Sequence, residues 1–142
     1  PGNQPRPIRL GTDDDWIAID ARNSLSFAIK RNHSLWACGA NHLSQLGAGS
    51  TELRLPWTQI ANGNDWKQVS TANEEGFALK TEGSLWAWGR NYQGQLGDGT
   101  FIDRPRPVRI GKDSDWERLA ATRHGCVALK RDGSLWAWGL EF

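Results

Sequence analysis

The apolar positions of this chain fall in short runs of strand length, separated by small polar segments. Around the centre the runs are Trp66–Ala72, Gly76–Lys80 and Ser84–Gly89, with Pro56–Ile60 before them and Pro107–Ile110 after them. Between them, "GNDW" (63–66) and "TEGS" (81–84) carry the Gly, Asn, Asp and Ser that turns favour. Nowhere do apolar residues recur at the spacing of a helix face, so the chain is predicted to be all-β. Within "SLWAWG" (84–89), alternation sends Leu85 and Ala87 to one face of a strand and Trp86 and Trp88 to the other. The run "GFALK" does the same, with Phe77 and Leu79 opposite Ala78. A sheet that is apolar on both faces has to be covered on both.

The cover is implied by repetition. "SLWAWG" recurs at 134–139 and, as "SLWACG", at 34–39, always 50 residues apart. The same period relates Trp16, Trp66 and Trp116, each after an aspartate; Lys30, Lys80 and Lys130; and Gly39, Gly89 and Gly139. "SQLGAG" (44–49) answers "GQLGDG" (94–99), and "PRPIRLG" (5–11) answers "PRPVRIG" (105–111). Stacked copies of one small sheet bury both faces, which is the logic of a β-propeller with one four-stranded antiparallel blade per repeat. Blade 1 is expected over 11–60 and blade 2 over 61–110. The inner strands of blade 3 are expected over 111–142, with 1–10 as an outer strand for a blade of a neighbouring chain. Trp16, Trp36, Trp66, Trp86, Trp116 and Trp136, with Gly39, Gly89 and Gly139, form the expected repeat core, and Trp86→Ala is expected to cost about 3–5 kcal/mol. Propellers close with about 4–8 blades. Three repeats therefore imply a ring closed by oligomerisation, a six-bladed dimer being favoured, or part of a larger propeller.

Composition narrows the function. Lys and Arg number 17 against 16 Asp and Glu, which gives no basic stripe for nucleic acid. No apolar run reaches the length of a membrane span. The opening "PGNQPRP" shows no signal-peptide pattern, and no compartment is assigned. Cys38 and Cys126 occupy different repeat positions and read as two buried free thiols rather than a disulfide framework. His33, His42 and His124 also fall at different repeat positions, without metal-ligand spacing. Adjacent Glu74 and Glu75 would diverge rather than form an acid/base pair, and the glycine-rich "GQLGDG" lacks the Lys-Ser/Thr of a phosphate loop. No catalytic, cofactor or metal residue is assigned, and the chain reads as a non-enzyme.

The segments "DRPRPVRIGKDSDW", "VALKRDGSLWAWG" and "RNYQGQLGDGT" closely resemble the repeat of the regulator of chromosome condensation family. The resemblance runs along the whole chain. It implies propeller blades whose strands run from "DWKQVST" at the inside to "RPRPVRI" at the outside, with "NYQGQLGDGT" as a long rim loop. Nucleotide-exchange members use a hairpin inserted in one blade, which is missing here, so a regulator of that type is an unsupported alternative. The plant UV-B photoreceptors carry a Gly-Trp-Arg-His-Thr motif, of which only Arg123-His124 is matched. Relatives that clamp enzymes need only exposed, variable loops.

Comparison among the three copies locates those loops. Residues 22–26, 72–76 and 122–126 vary most, together with the long loops 40–54 and 90–104. Alternation places both sets on one rim. Arg22, Asn23, Asn41, His42, Asn73, Glu74, Glu75, Asn91, Tyr92, Arg123 and His124 are the candidate contacts with a protein partner, since loops on rigid scaffolds carry binding. The opposite rim, with Arg31, Glu82 and Arg131, is expected to be passive. The alternatives are a self-assembling structural unit and a lectin. Trp57, outside the repeat positions, is the tryptophan to watch for either.

Overall fold

The computed structural model describes residues 3–140. It contains eleven strands among the described residues and no helix. Strands β1 (Trp16–Arg22), β2 (Leu25–Lys30), β3 (Leu35–Ala40) and β4 (Arg54–Gln59) form one sheet in that order. The second sheet is β5 (Trp66–Thr71), β6 (Glu75–Lys80), β7 (Leu85–Gly89) and β8 (Arg104–Arg109). The third holds β9 (Trp116–Ala121), β10 (Gly125–Lys130) and β11 (Leu135–Gly139). All neighbouring strands are antiparallel. These are two complete propeller blades and three strands of another, at the 50-residue period of the sequence. The first strand of each blade lies innermost: β5 packs against both β1 and β9.

The repeated letters meet in one cluster per blade. Lys80 Nζ lies between two indoles, 4.9 Å from the Trp66 ring centroid and 4.7 Å from that of Trp86, and 3.2 Å from an Asp65 carboxylate oxygen. Lys30 and Lys130 repeat this against Trp16 and Trp36, and against Trp116 and Trp136. The serine of "SLW" accepts the indole N–H two residues on: Trp36 from Ser34 and Trp86 from Ser84 at 2.8 Å, Trp136 from Ser134 at 2.9 Å. The ammonium is attracted both to the two ring faces and to the carboxylate beside it, so aspartate, tryptophan and lysine recur together.

Alternation along β7 divides the apolar residues between two cores. Leu85, Ala87, Phe77 and Leu79 face blade 3 and pack with Trp116, Leu119 and Cys126. Trp88, Ala78, Trp66 and Val69 face blade 1 and pack with Phe27, Ile29 and Leu35, with Trp86 at the margin. Polar groups also cross between blades. The Asp20 carboxylate accepts from Ser70 Oγ and from the Thr71 N–H, and the Gln68 amide both donates to and accepts from the Leu119 backbone.

Several expected details are corrected. The tryptophans of the repeat are unequal: Trp66 and Trp116 are buried, Trp86 is half-buried and Trp136 is 51 % exposed. The indole of Trp86 ends at the blade margin, on Ser84, whereas Trp88 is fully enclosed. Cys126 is buried, but Cys38 is only partly so, because no blade covers its face of the first sheet in this chain. Burial pushes the Cys126 thiol up to about 12, and Cys38 is raised by the same cause. Residues 3–15 form no strand within this chain, whereas the expectation for 1–10 concerns a strand added to a neighbouring chain. Of the segment 1–10 expected as an outer strand, residues 1–2 lie outside the described residues, as do residues 141–142 of the expected third blade.

Candidate functional site

Each inner hairpin turns tightly between its first and second strands, and the three turns converge. Asn23, at a positive φ of 53° that asparagine tolerates, donates through Nδ2 to Asn73 Oδ1 at 3.0 Å. The Asn73 N–H donates to the Arg123 carbonyl at 3.2 Å. A long contact of 3.5 Å joins an Arg22 guanidinium nitrogen to the Thr122 carbonyl. Around this junction lies a cavity of about 350 Å³. Asn23, His42, Asn73, Glu74, Tyr92, Arg123 and His124 line it, with Ser24, Leu25, Ala40 and Gln45 as the remaining walls. Arg90 stacks over the Tyr92 ring at 4.7 Å and approaches the Glu74 carboxylate at 3.8 Å.

Seven of the eleven candidate contact residues thus share one cavity. Arg22 is exposed beside it. The other three are turned into the scaffold. Asn91 is fully buried; its Nδ2 donates to the carbonyls of Thr100 and Ile102, each at 3.1 Å, while its Oδ1 accepts from the Leu96 N–H. Asn41 binds the Ser50 and Glu52 carbonyls and the Leu46 N–H in the same way. A long loop has many backbone groups to satisfy, and these two amides satisfy them. Their identity in both copies was the available signal, since equal positions serve the scaffold.

Glu75 is the third. It is fully buried, accepting from Gln95 Nε2 at 2.9 Å and from the Glu74 N–H at 3.1 Å. Reversing its charge would therefore perturb the fold, not a surface contact. Burial pushes its carboxyl above the ordinary range, against the pull of these hydrogen bonds. A carboxyl raised on folding binds more protons in the folded state than in the unfolded one. Its contribution to stability accordingly falls as pH rises through the ordinary carboxylate range and above it. Comparing urea midpoints from about pH 4 to about pH 7, the wild type is expected to lose stability relative to Glu75→Gln. Parallel pH profiles for the two proteins would contradict this.

Trp57 lies elsewhere, on the free face of blade 1. Its ring centroid is 5.1 Å from that of Trp16, and the two rings line a cavity of about 400 Å³ with Leu10, Ile17, Ala18, Ile19 and Ala28. This wall is apolar, but Trp57 also lines a second cavity of about 450 Å³ with Trp16, Trp36, Thr12 and Asp13, where polar groups stand beside the rings. Among the described residues, no group of three His, Cys, Asp or Glu side chains is placed to hold a metal ion, and no helix is long and apolar enough to cross a membrane.

Residues 82–129 match the family model of the Regulator of chromosome condensation (RCC1) repeat. Within those residues the sequence is similar to one RCC1 repeat. The matched segment runs from the turn before β7 through the outer strand β8 and into β10 of the next blade, so it crosses the blade boundary defined by the sheets. No curated protein sequence matches the chain. Among solved structures, human WBSCR16 is similar at a TM-score of 0.82 and 21 % identity, over 93 % of this chain and 35 % of its own. Prp20p from Saccharomyces cerevisiae is similar at 0.78 and 20 %, over 88 % of this chain and 33 % of its own. Yeast RCC1 (Prp20), solved bound to Kap60, is similar at 0.76 and 21 %, over 88 % and 32 %. At these identities the likeness shows the fold. The chain spans about a third of the length of the structures it matches.

Proposed function

We propose that this chain is a non-catalytic binding scaffold that engages a protein partner through the rim carrying 22–26, 72–76 and 122–126 together with the long loops. The observation that carries this reading is the shared cavity. Side chains from all three blades line it, and they come from the turns and long loops in which the repeats differ most. Such residues are held in place by the scaffold without being required by it. Prp20p has been characterised for binding to Gsp1p and histones, and yeast RCC1 was solved with Kap60, so proteins of this fold bind protein partners. A photo-crosslinking residue placed at Tyr92 is expected to capture a partner that the same residue placed at Arg131, on the opposite rim, does not. Capture only from Arg131, Arg31 or Glu82 would move the site to that rim.

A second reading, self-assembly, is favoured by the free faces. Ile19 is 72 % exposed, although its counterparts Val69 and Leu119 are buried under the preceding blade. Leu135 is 71 % exposed, although Leu35 and Leu85 are fully buried under the following one. Each free face is the chemical counterpart of a face that is covered inside the chain. Two chains placed head to tail would cover both and give a six-bladed ring, with 1–10 of each supplying an outer strand beside β11 of the other. Light scattering is expected to give the mass of two chains. A folded monomer at micromolar concentration would overturn the ring.

A further inference from the structure

Blades 1 and 2 differ at one buried polar position. In blade 2, Gln95 Oε1 accepts from the Gln93 N–H, which orients the amide and sends Nε2 to the Glu75 carboxylate. In blade 1, Gln45 Oε1 accepts from the Leu43 N–H at 2.8 Å, so its amide is oriented in the same way. Leu25 stands at the counterpart of Glu75 and offers no acceptor. Gln45 is 2 % exposed, its Nε2 has no hydrogen-bond partner among the described residues, and it lines the rim cavity. Its Nε2 opens to the cavity rather than being fully enclosed, so its acceptor is water or a group that enters the cavity.

The other walls favour the same kind of visitor. Asn73 spends its Oδ1 on Asn23, which leaves its Nδ2 as a donor. His42, Tyr92 and Arg123 are exposed donors on the same walls. The carboxylate that shares the cavity, Glu74, lies against Arg90. Leu25 and Ala40 supply apolar wall for methylene groups. The volume of about 350 Å³ is at the small end of ligand sites and suits one or two side chains rather than a large cofactor.

We propose that this cavity receives an acidic side chain of the protein partner, whose carboxylate accepts from Gln45 Nε2 as the Glu75 carboxylate does from Gln95. The inference rests on the rim-binding reading and specifies the chemistry of the contact. It is tested on the full chain, labelled with nitrogen-15, with the capped peptide acetyl-Gly-Glu-Gly-amide as the probe. The Glu peptide is expected to shift the side-chain amide signals of Gln45 and Asn73, and acetyl-Gly-Gln-Gly-amide to bind about tenfold or more weakly. Leu25→Glu supplies the acceptor from within, in the arrangement blade 2 already tolerates. It is expected to shift the Gln45 amide by itself and to abolish peptide binding. Equal binding of the Glu and Gln peptides, unchanged binding to Leu25→Glu, or tighter binding of succinate than of the peptide would overturn the proposal. Crosslinking from Tyr92 reads the rim separately: capture there without Gln45 shifts retains the rim and rejects the carboxylate contact.

Discussion

Replacing Trp88 by alanine is expected to destabilise the chain by about 3–5 kcal/mol, the range for removing a large aromatic from a core that cannot collapse around the gap. Trp88 has no exposed surface. Its ring meets Phe27 of the preceding blade edge to face, with centroids 5.2 Å apart at 82°. It lies so close to Gly47, in the long loop of that blade, that a Cβ there would stand 2.6 Å from the indole, and it also crowds Gly76, its partner across β6. The indole therefore joins two blades and one loop, and its loss would loosen all three. Trp138, the counterpart in blade 3, packs on Phe77 and Gly97 but is half-buried, so Trp138→Ala should cost less. Urea unfolding of both variants measures the difference. Equal losses would show that closure between blades adds nothing beyond the contacts within each sheet.

Gly89→Ala is expected to be nearly as damaging, at about 2–5 kcal/mol. The backbone there has φ of 102°, in the region that L side chains rarely adopt, and an added Cβ would run into the Glu74 carbonyl. Left-handed backbone costs a non-glycine residue about 1–2 kcal/mol, and forcing atoms into a packed site about 1–3 kcal/mol. Gly39 and Gly139 stand in the same relation to the Ser24 and His124 carbonyls, so each blade needs its glycine where the third strand passes the turn between the first two. Gly99→Ala separates the two effects. Its φ is 78° with nothing within 4 Å of the added carbon, so only the conformational cost of about 1–2 kcal/mol should appear. A Gly89→Ala variant no less stable than Gly99→Ala would remove the steric argument.

Much of this was legible beforehand for a physical reason: each blade is built by contacts that repeat. Asp65, Trp66, Lys80, Ser84 and Trp86 recur together because together they hold a cation between two indoles, and a period of 50 residues displays that cluster three times. The two cores followed from alternation along "SLWAWG", since a strand has only two faces. Comparison of the copies also located the varied turns that line the rim cavity.

What the letters could not show was depth. Glu75 varies among the copies, as Leu25 and Gly125 do at the same position, so it reads as a solvent-facing residue. It is buried because Gln95, from a loop twenty residues away, folds over it. Trp88 was obscured by Cys38, which breaks the pattern at its repeat position, whereas the regular Trp86 turned out to be the half-exposed one. Gln45 and Gln95 share the same letters, yet one amide is satisfied and the other faces a cavity, because Leu25 and Glu75 differ across the sheet. The sequence by itself determined the strands, their period and the two apolar faces of each blade, all of which depend on spacing along one chain. Only the tertiary structure decided which side chains are enclosed and which polar atoms lack a partner, because those depend on what the neighbouring blade and its loop place against them.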